Sequence, residues 1–337
     1  TDTFTYKASD GEADSQTKTV TIKVIKKYLN SANQIGSNIN LGTGSNAGQS
    51  VSFNEDATIM AIGIPNYRTY SGSVKIYQYS SNAWSQLGAD INGEANYDYS
   101  GSFVSLSSDG KTIAIGAPYN DGNGNDSGHV RIYNYDGSNW TQLGFDIDGE
   151  AANEYSGRSV SLSSDGSTLA VGADYNDGNG TNSGHVRVYS YYAGSWNKRG
   201  MDIDGEAASD QSGKSVSLSA DGTILAIGAH YNDGNGSNSG HVRVFQFSND
   251  SWSQLGEDID GEAVSNYSGY SVSLSSDGKT VAIGAIYNNG DGSSSGHVRV
   301  YNYNETTWTQ LGSDIDGEAA GDLSGFSVSL SSDGTIV

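Results

Sequence analysis

The sequence predicts an all-β propeller of four-stranded blades, and three observations carry that prediction. A unit of 56 residues recurs along the chain, each unit holds four strand signals, and helix signals are nearly absent. The period is fixed by Trp84, Trp140, Trp196, Trp252 and Trp308, and the same step separates Asp109, Asp165, Asp221, Asp277 and Asp333. A constant period of this length marks a repeat architecture in which each copy buries its apolar face against the next.

Within one copy the elements follow in order. Ser159-Val160-Ser161-Leu162-Ser163 alternates with the period of a half-buried strand. Ser164-Asp165-Gly166 is a tight turn, and the apolar run Thr168 to Ala173 follows it. A loop from Tyr175 to Gly184 leads into His185-Val186-Arg187-Val188-Tyr189, and a fourth strand starts at Trp196. Four short antiparallel strands per repeat describe a propeller blade. Small Ser, Ala and Gly suit the crowded axis, and Trp and Tyr the wider rim. The first copy has a shorter loop, where Asn66-Tyr67-Arg68-Thr69-Tyr70 replaces the D-G-N-G segment.

Five full copies and part of a sixth are present, since Thr335-Ile336-Val337 falls in the second strand of the sixth; the intact protein is expected to continue. Gln34-Ile35-Gly36-Ser37-Asn38-Ile39 matches the ending of a Trp-bearing strand and is expected to act as a fourth strand closing the ring. Two domains are expected, residues 1–27 and a propeller over residues 28–337.

The net charge of -22, from 39 acidic and 17 basic side chains, argues against nucleic acid and anionic membrane and favours cations or basic partners. There is no cysteine, which rules out disulfides and thiolate metal sites. No apolar run approaches the roughly 20 residues of a membrane helix, so direct membrane insertion is not expected.

Gly325-Phe326-Ser327-Val328-Ser329-Leu330 and Ala114-Ile115-Gly116-Ala117-Pro118 resemble the FG-GAP repeats of integrin α-subunit propellers and their bacterial relatives, over residues 34–337. The four-stranded blade is shared with WD40 repeats. The resemblance implies an extracellular or cell-surface binding or adhesion module. Integrin-type repeats carry a calcium loop between their first two strands; here that position holds only the S-x-D-G turn, so that site does not transfer. Asp2-Thr3-Phe4-Thr5-Tyr6, Ser9-Asp10-Gly11 and Val20-Thr21-Ile22-Lys23-Val24 resemble the last hairpin of a cadherin-like or VCBS-type domain, which implies neighbouring domains in a larger modular protein.

Strand parity puts the loop after the second strand and the D-I-D-G-E-A loop on one acidic face, with the S-x-D-G turns opposite. In the first loop type, oxygen-bearing side chains alternate: Asp121, Asn123, Asn125; Asp177, Asn179, Thr181; Asp233, Asn235, Ser237; Asn289, Asp291, Ser293. Such alternation is what a Ca²⁺ loop uses. Ile132, however, stands where a bidentate Glu would be needed, and Asn-Gly and Asp-Gly also supply turn conformations. Both readings stand, with Ca²⁺ the only cofactor expected. Asp146, Asp148 and Glu150 either add ligands from a neighbouring blade or cap turns.

His129, His185, His241 and His297 recur two residues before Arg131, Arg187, Arg243 and Arg299. An active site is normally a single constellation, so this repeated pair is read as tying loop carboxylates to a strand, and the chain is read as non-catalytic. Recognition is sought where copies differ. The first strand opens with Gln49, Ser102, Arg158, Lys214, Tyr270 or Phe326, and the second ends near Pro65, Pro118, Asp174, His230 or Ile286. Loop tips add Tyr97, Tyr155 and Tyr267. Of these, Arg158, Lys214, Tyr270, Phe326, Tyr97, Tyr155, Tyr267, His230 and Asp174 are the candidate ligand-binding residues, for a glycan or protein partner, and neutral drift among equivalent positions explains the same variation equally well. The competing classes are a structural spacer and a propeller hydrolase or lyase.

Overall fold

The computed structural model describes residues 34–41 and 45–337 in full, and in the N-terminal region the backbone of two strands. The chain divides into two compact units, residues 1–37 and 38–337. In the first unit Asp2–Tyr6 pairs antiparallel with Lys18–Ile22. The expected turn at Ser9-Asp10-Gly11 and the expected boundary after residue 27 lie outside the described residues.

The second unit is a β-propeller of five blades, each a sheet of four antiparallel strands in sequence order. In the second blade these are Phe103–Leu106, Thr112–Ala117, His129–Tyr135 and Trp140–Gln142. The fourth strand is interrupted: after a turn at Leu143 to Asp146, the short strand Ile147–Asp148 pairs again with the third strand. That interruption carries the acidic loop back along the sheet.

The cores lie between blades. Ile113 and Ile115 pack with Ile59, Val74 and Ile76 of the preceding blade. Ala114, on the other face of the same strand, packs with Leu169 and Val171 of the following one. The A-I-G-A pattern therefore places bulk on one face and small residues on the other. A buried Ile contributes about 1.5–3 kcal/mol, so these seams are the main source of stability. Where the seam is tightest only glycine fits: a Cβ on Gly116 would collide with the carbonyl oxygen of Gly157, and one on Gly228 with that of Gly269.

The repeated serines belong to the same seams. Ser105, Ser161, Ser217 and Ser273 each accept, at Oγ, the backbone N–H of a leucine in the next copy, at 2.9–3.0 Å for Leu162, Leu218, Leu274 and Leu330. Near the S-x-D-G turns a chain of main-chain bonds circles the axis: Glu55 to Ser108 (3.1 Å), Ser108 to Ser164 (2.9 Å), Ser164 to Ala220 (2.8 Å), Ala220 to Ser276 (2.9 Å) and Ser276 to Ser332 (2.9 Å). At the rim, Trp140, Trp196, Trp252 and Trp308 donate Nε1–H to the carbonyls of Leu87, Leu143, Arg199 and Leu255 in the preceding blade, at 2.7–2.9 Å. The sequence period thus records three sets of inter-blade bonds.

Three segments differ from expectation. Residues 34–41 form no strand, and Asn38, Ile39 and Leu41 line a shallow cavity with Val51 and Ile62 of the first blade. A fourth strand needs a third to pair with, and among the described residues no strand pairs with this segment. In the sixth copy the Ser331–Asp333 turn forms and Leu330 docks on Ser273, but no strand follows, because a second strand also needs its third. The short loop of the first blade is an irregular tight turn at Tyr67–Tyr70, in which Arg68 and Tyr70 hold positive φ of 52° and 57°.

Candidate functional site

Two groups of side chains stand out at the loop end of the propeller. The first is a cavity of about 640 Å³ at the mouth, lined from the third blade to the sixth copy. Its floor comes from positions that open the first strands, Arg158, Lys214, Tyr270 and Phe326, together with His230 from the end of a second strand. Tyr175, Tyr231, Tyr267 and Tyr287 form its wall.

The mouth is built on one buried charge. Asp174 is fully buried, and the Arg158 Nε lies 3.5 Å from its Oδ2. Neither oxygen of Asp174 accepts a hydrogen bond. Burial pushes the Asp174 carboxyl up, against the pull of Arg158 and Lys214. Burial also draws the Lys214 ammonium down, helped by Arg158. Burial, with the charges of Lys214 and Arg158, pushes His230 down to about 3, so its ring is neutral at ordinary pH. Two cations thus share one carboxylate at the centre of a strongly acidic molecule.

Aromatic rings surround these charges. Lys214 Nζ sits 4.9 Å from the Tyr270 ring centroid, and Tyr270 packs against Phe326 at 5.1 Å. Arg158 lies 5.2 Å from the centroid of Tyr175 and 6.0 Å from that of Tyr155. A belt runs Tyr70, Tyr99, Tyr119, Tyr155, Tyr175 with successive centroids 5.1–5.3 Å apart, and resumes as Tyr231, Tyr267, Tyr287. Tyr99, Tyr155 and Tyr267 hold φ of 54–56°, a left-handed conformation that a bulky side chain rarely adopts.

Of the candidate ligand-binding residues, the cavity brings together Arg158, Lys214, His230, Tyr267, Tyr270 and Phe326. Asp174 lies behind Arg158, and Tyr155 stands in the belt beside it. Tyr97 is elsewhere, stacked on Tyr70 at the first blade. Sequence reasoning missed Tyr175, Tyr231 and Tyr287, because a search among differing positions passes over a tyrosine shared by all four long-loop copies. Their signal was adjacency to the variable residue.

The alternating Asp and Asn side chains are engaged in their own loops. Asp121, Asp177 and Asp233 accept backbone N–H groups five residues on, at 2.7–2.8 Å, and Asn289 does the same for Ser294. Asn123, Asn179 and Asn235 donate Nδ2–H to the carbonyls of Gly149, Gly205 and Gly261, tying the two acidic loops together at 2.8 Å. Asn125 donates to Asp126. Thr181, Ser237, Asp291 and Ser293 occupy the same loops.

The second group recurs at the seams. His129, His185, His241 and His297 are 1–2% exposed, and each meets a Glu from the preceding blade and an Asp from its own. The sets are Glu94, His129, Asp146; Glu150, His185, Asp202; Glu206, His241, Asp258; and Glu262, His297, Asp314, with one donor atom from each residue within 4.8 Å of the others. Burial, and then the adjacent Arg, pushes the first three imidazoles down to about 4, against the attraction of the aspartates; His297 is lowered for the same reasons.

Comparison with known proteins agrees with this architecture. The chain carries FG-GAP repeats: the FG-GAP repeat model matches residues 92–133, 147–189 and 203–245. Each match begins in or just before the short last strand of one blade and ends in the third strand of the next, so the sequence unit spans a seam. A solved structure of Kuenenia stuttgartiensis hydrazine synthase is similar in fold, with a TM-score of 0.55 and 14% identity, covering 85% of this chain and 78% of that one. No curated protein matches.

Proposed function

We propose that this run of FG-GAP repeats is a non-catalytic binding module of an extracellular or cell-surface protein, and that its ligand is a glycan seated in the mouth. The observation that supports this most is the cavity itself: the positions that differ among the copies converge there, under a wall of tyrosines. Tyrosine faces stack on the apolar faces of sugar rings, and the Arg158 and Lys214 cations would receive a carboxylate or other acidic substituent.

Two features favour binding over catalysis. Asp174 is fully buried and paired with Arg158, which keeps it from serving a ligand as a base. His230, with its proton affinity lowered to about 3, is a weak base at neutral pH. FG-GAP repeats are typical of extracellular and surface proteins, which supports the location. Among the described residues no helix is long and apolar enough to cross a membrane.

A glycan array with the intact protein, followed by titration calorimetry of any hit, tests the reading. Lys214→Met and Tyr270→Ala are each expected to weaken binding at least about tenfold, the loss of a 1.4 kcal/mol contact. Binding that survives both substitutions would place the ligand elsewhere. An array without hits, with capture of a protein ligand that both variants lose, would replace the glycan by a protein at the same mouth.

A further inference from the structure

We propose that the His–Asp–Glu sets at the seams are binding sites for a divalent transition-metal ion, with Zn²⁺ as the ion to test. The geometry points there first. His Nδ1 faces Asp Oδ2 at 3.8 Å in the second blade, 3.7 Å in the fourth and 3.3 Å in the fifth. It faces Glu Oε2 at 3.9 Å in the fourth and fifth. These separations exceed the usual 2.7–3.2 Å of an N–H···O bond. Two ligands about 2.0–2.2 Å from one tetrahedral ion lie roughly 3.3–3.6 Å apart; the His297–Asp314 pair falls in that range, and the other pairs, at 3.7–3.9 Å, need to close by only a few tenths of an ångström around an ion. In the fifth blade the His297 Nδ1 is buried, has no hydrogen-bond partner, and is aimed between Glu262 and Asp314.

The surroundings hold each carboxylate by one oxygen and leave the other for the imidazole. Asp146, Asp258 and Asp314 accept a Gln amide at Oδ1, at 2.5–2.6 Å from Gln142, Gln254 and Gln310. Glu206 and Glu262 present Oε1 to Arg243 and Arg299 at 3.5–3.6 Å. Those arginines are themselves pinned through Nη2 to the carbonyls of Asp204 and Asp260, at 2.6–2.7 Å. Fixed outer partners of this kind orient metal ligands. One imidazole and two carboxylates suit a borderline ion such as Zn²⁺, and three protein ligands leave one position for water.

The first and third blades provide internal contrasts. In the first, Ser73 stands in place of the histidine, and Lys75 Nζ reaches Asp90 Oδ2 at 3.2 Å, so an ammonium occupies the place assigned to the ion. In the third, Lys198 replaces the glutamine of the other blades on Asp202 Oδ1, at 2.6 Å, and sets a positive charge beside the ligand set. The second, fourth and fifth blades are therefore expected to bind more tightly than the third.

The test is calorimetric titration of the chelator-stripped protein with Zn²⁺, with Mg²⁺ and Ca²⁺ in parallel, and Co²⁺ loading read by visible absorption. The expected result is three tight sites and one weaker, with tetrahedral Co²⁺ bands. Glu206→Gln and Asp258→Asn, both at partly exposed side chains that a folded blade should tolerate, are each expected to remove one tight site. A circular-dichroism spectrum equal to the parent's would confirm that the fold is intact. Zn²⁺ binding no stronger than Mg²⁺ binding, a stoichiometry unchanged in both variants, or equal occupancy by Ca²⁺ at the same residues would each overturn the assignment.

Discussion

The seams and the mouth are built from the same strands, yet they obey opposite rules. Along the first strand of the third blade, Ser161 gives its Oγ to the Leu218 N–H of the next copy, and three residues earlier Arg158 opens into the cavity. Every copy has a serine at the first position, because a neighbour's backbone donor needs an acceptor there. At the second position the copies carry Gln49, Ser102, Arg158, Lys214, Tyr270 and Phe326, and no bond to the next copy is repeated there. Repetition therefore reads as architecture, and departure from it is where the proposed recognition is placed. The His–Asp–Glu sets are the case between: repeated like a seam, but carrying ligand chemistry.

The contrast is sharpest at a seam glycine. Gly228→Val forces a side chain into the carbonyl of Gly269, and backbone cannot yield as a side-chain tip would. Overpacking of this kind is expected to cost about 3 kcal/mol or more, enough to unfold a marginal domain. Denaturant unfolding checks it. Phe326→Ala, at a mouth position 61% exposed, is expected to move the midpoint far less. Equal losses from the two would break the distinction between seam and mouth.

The mouth has its own stability cost, and it depends on pH. His230 titrates at about 3 in the folded protein, below its ordinary value of 6.5. Below pH 6.5 the unfolded chain takes up a proton that the native state refuses, so the native state loses stability as pH falls from 6.5 toward 3. His230→Gln removes that loss. The variant is expected to match the parent in melting temperature above pH 7 and to exceed it by an amount equivalent to a few kcal/mol near pH 4. Parallel curves across that range would show that His230 is not held neutral.

Ser217→Ala returns to the seam with a smaller lesion. It leaves the Leu274 N–H without its acceptor at 2.9 Å, a loss of about 1–3 kcal/mol if water cannot replace the hydroxyl. Hydrogen exchange at Leu274 reads the same event directly and is expected to quicken. An unchanged exchange rate would mean that the serines are spacers and not bonding partners.

Much of this was legible in the sequence, for a physical reason. A 56-residue period with alternation inside it specifies which face of each strand is buried, and strand parity then assigns the loops to ends. Convergence at the mouth followed from the same parity: Arg158, Lys214, Tyr270 and Phe326 are equivalent positions around one axis. The tie of loop carboxylates to the His-x-Arg strand was also readable, and Arg131, Arg187, Arg243 and Arg299 do face Glu94, Glu150, Glu206 and Glu262 at 3.4–3.6 Å; which carboxylates meet each histidine was not. Glu94 and His129 are 35 residues apart and lie in different blades, and only the seam brings them together. The split of the fourth strand was hidden too, since Ile147–Asp148 is too short to register as periodic. Asp174 looked like one more variable position, and only burial reveals it as the counter-charge of Arg158.

The finest separation of the two regions comes from removing one polar atom from each. Trp252→Phe keeps a ring at the rim but loses the 2.8 Å bond from Nε1 to the Arg199 carbonyl in the preceding blade. That is expected to cost about 1 kcal/mol, with some further loss of packing from the smaller ring. Tyr270→Phe keeps the face against which Lys214 packs and takes away only the hydroxyl. Its effect on stability is expected to stay within about 0.5 kcal/mol, and any hydrogen bond from that hydroxyl to a ligand would appear in affinity alone. A pair of denaturation curves and a pair of binding titrations therefore give a crossed result: the seam variant moves the first and spares the second, and the mouth variant does the reverse. If both variants moved both readouts, the mouth would be energetically part of the seams, and ligand binding would have to be transmitted around the ring.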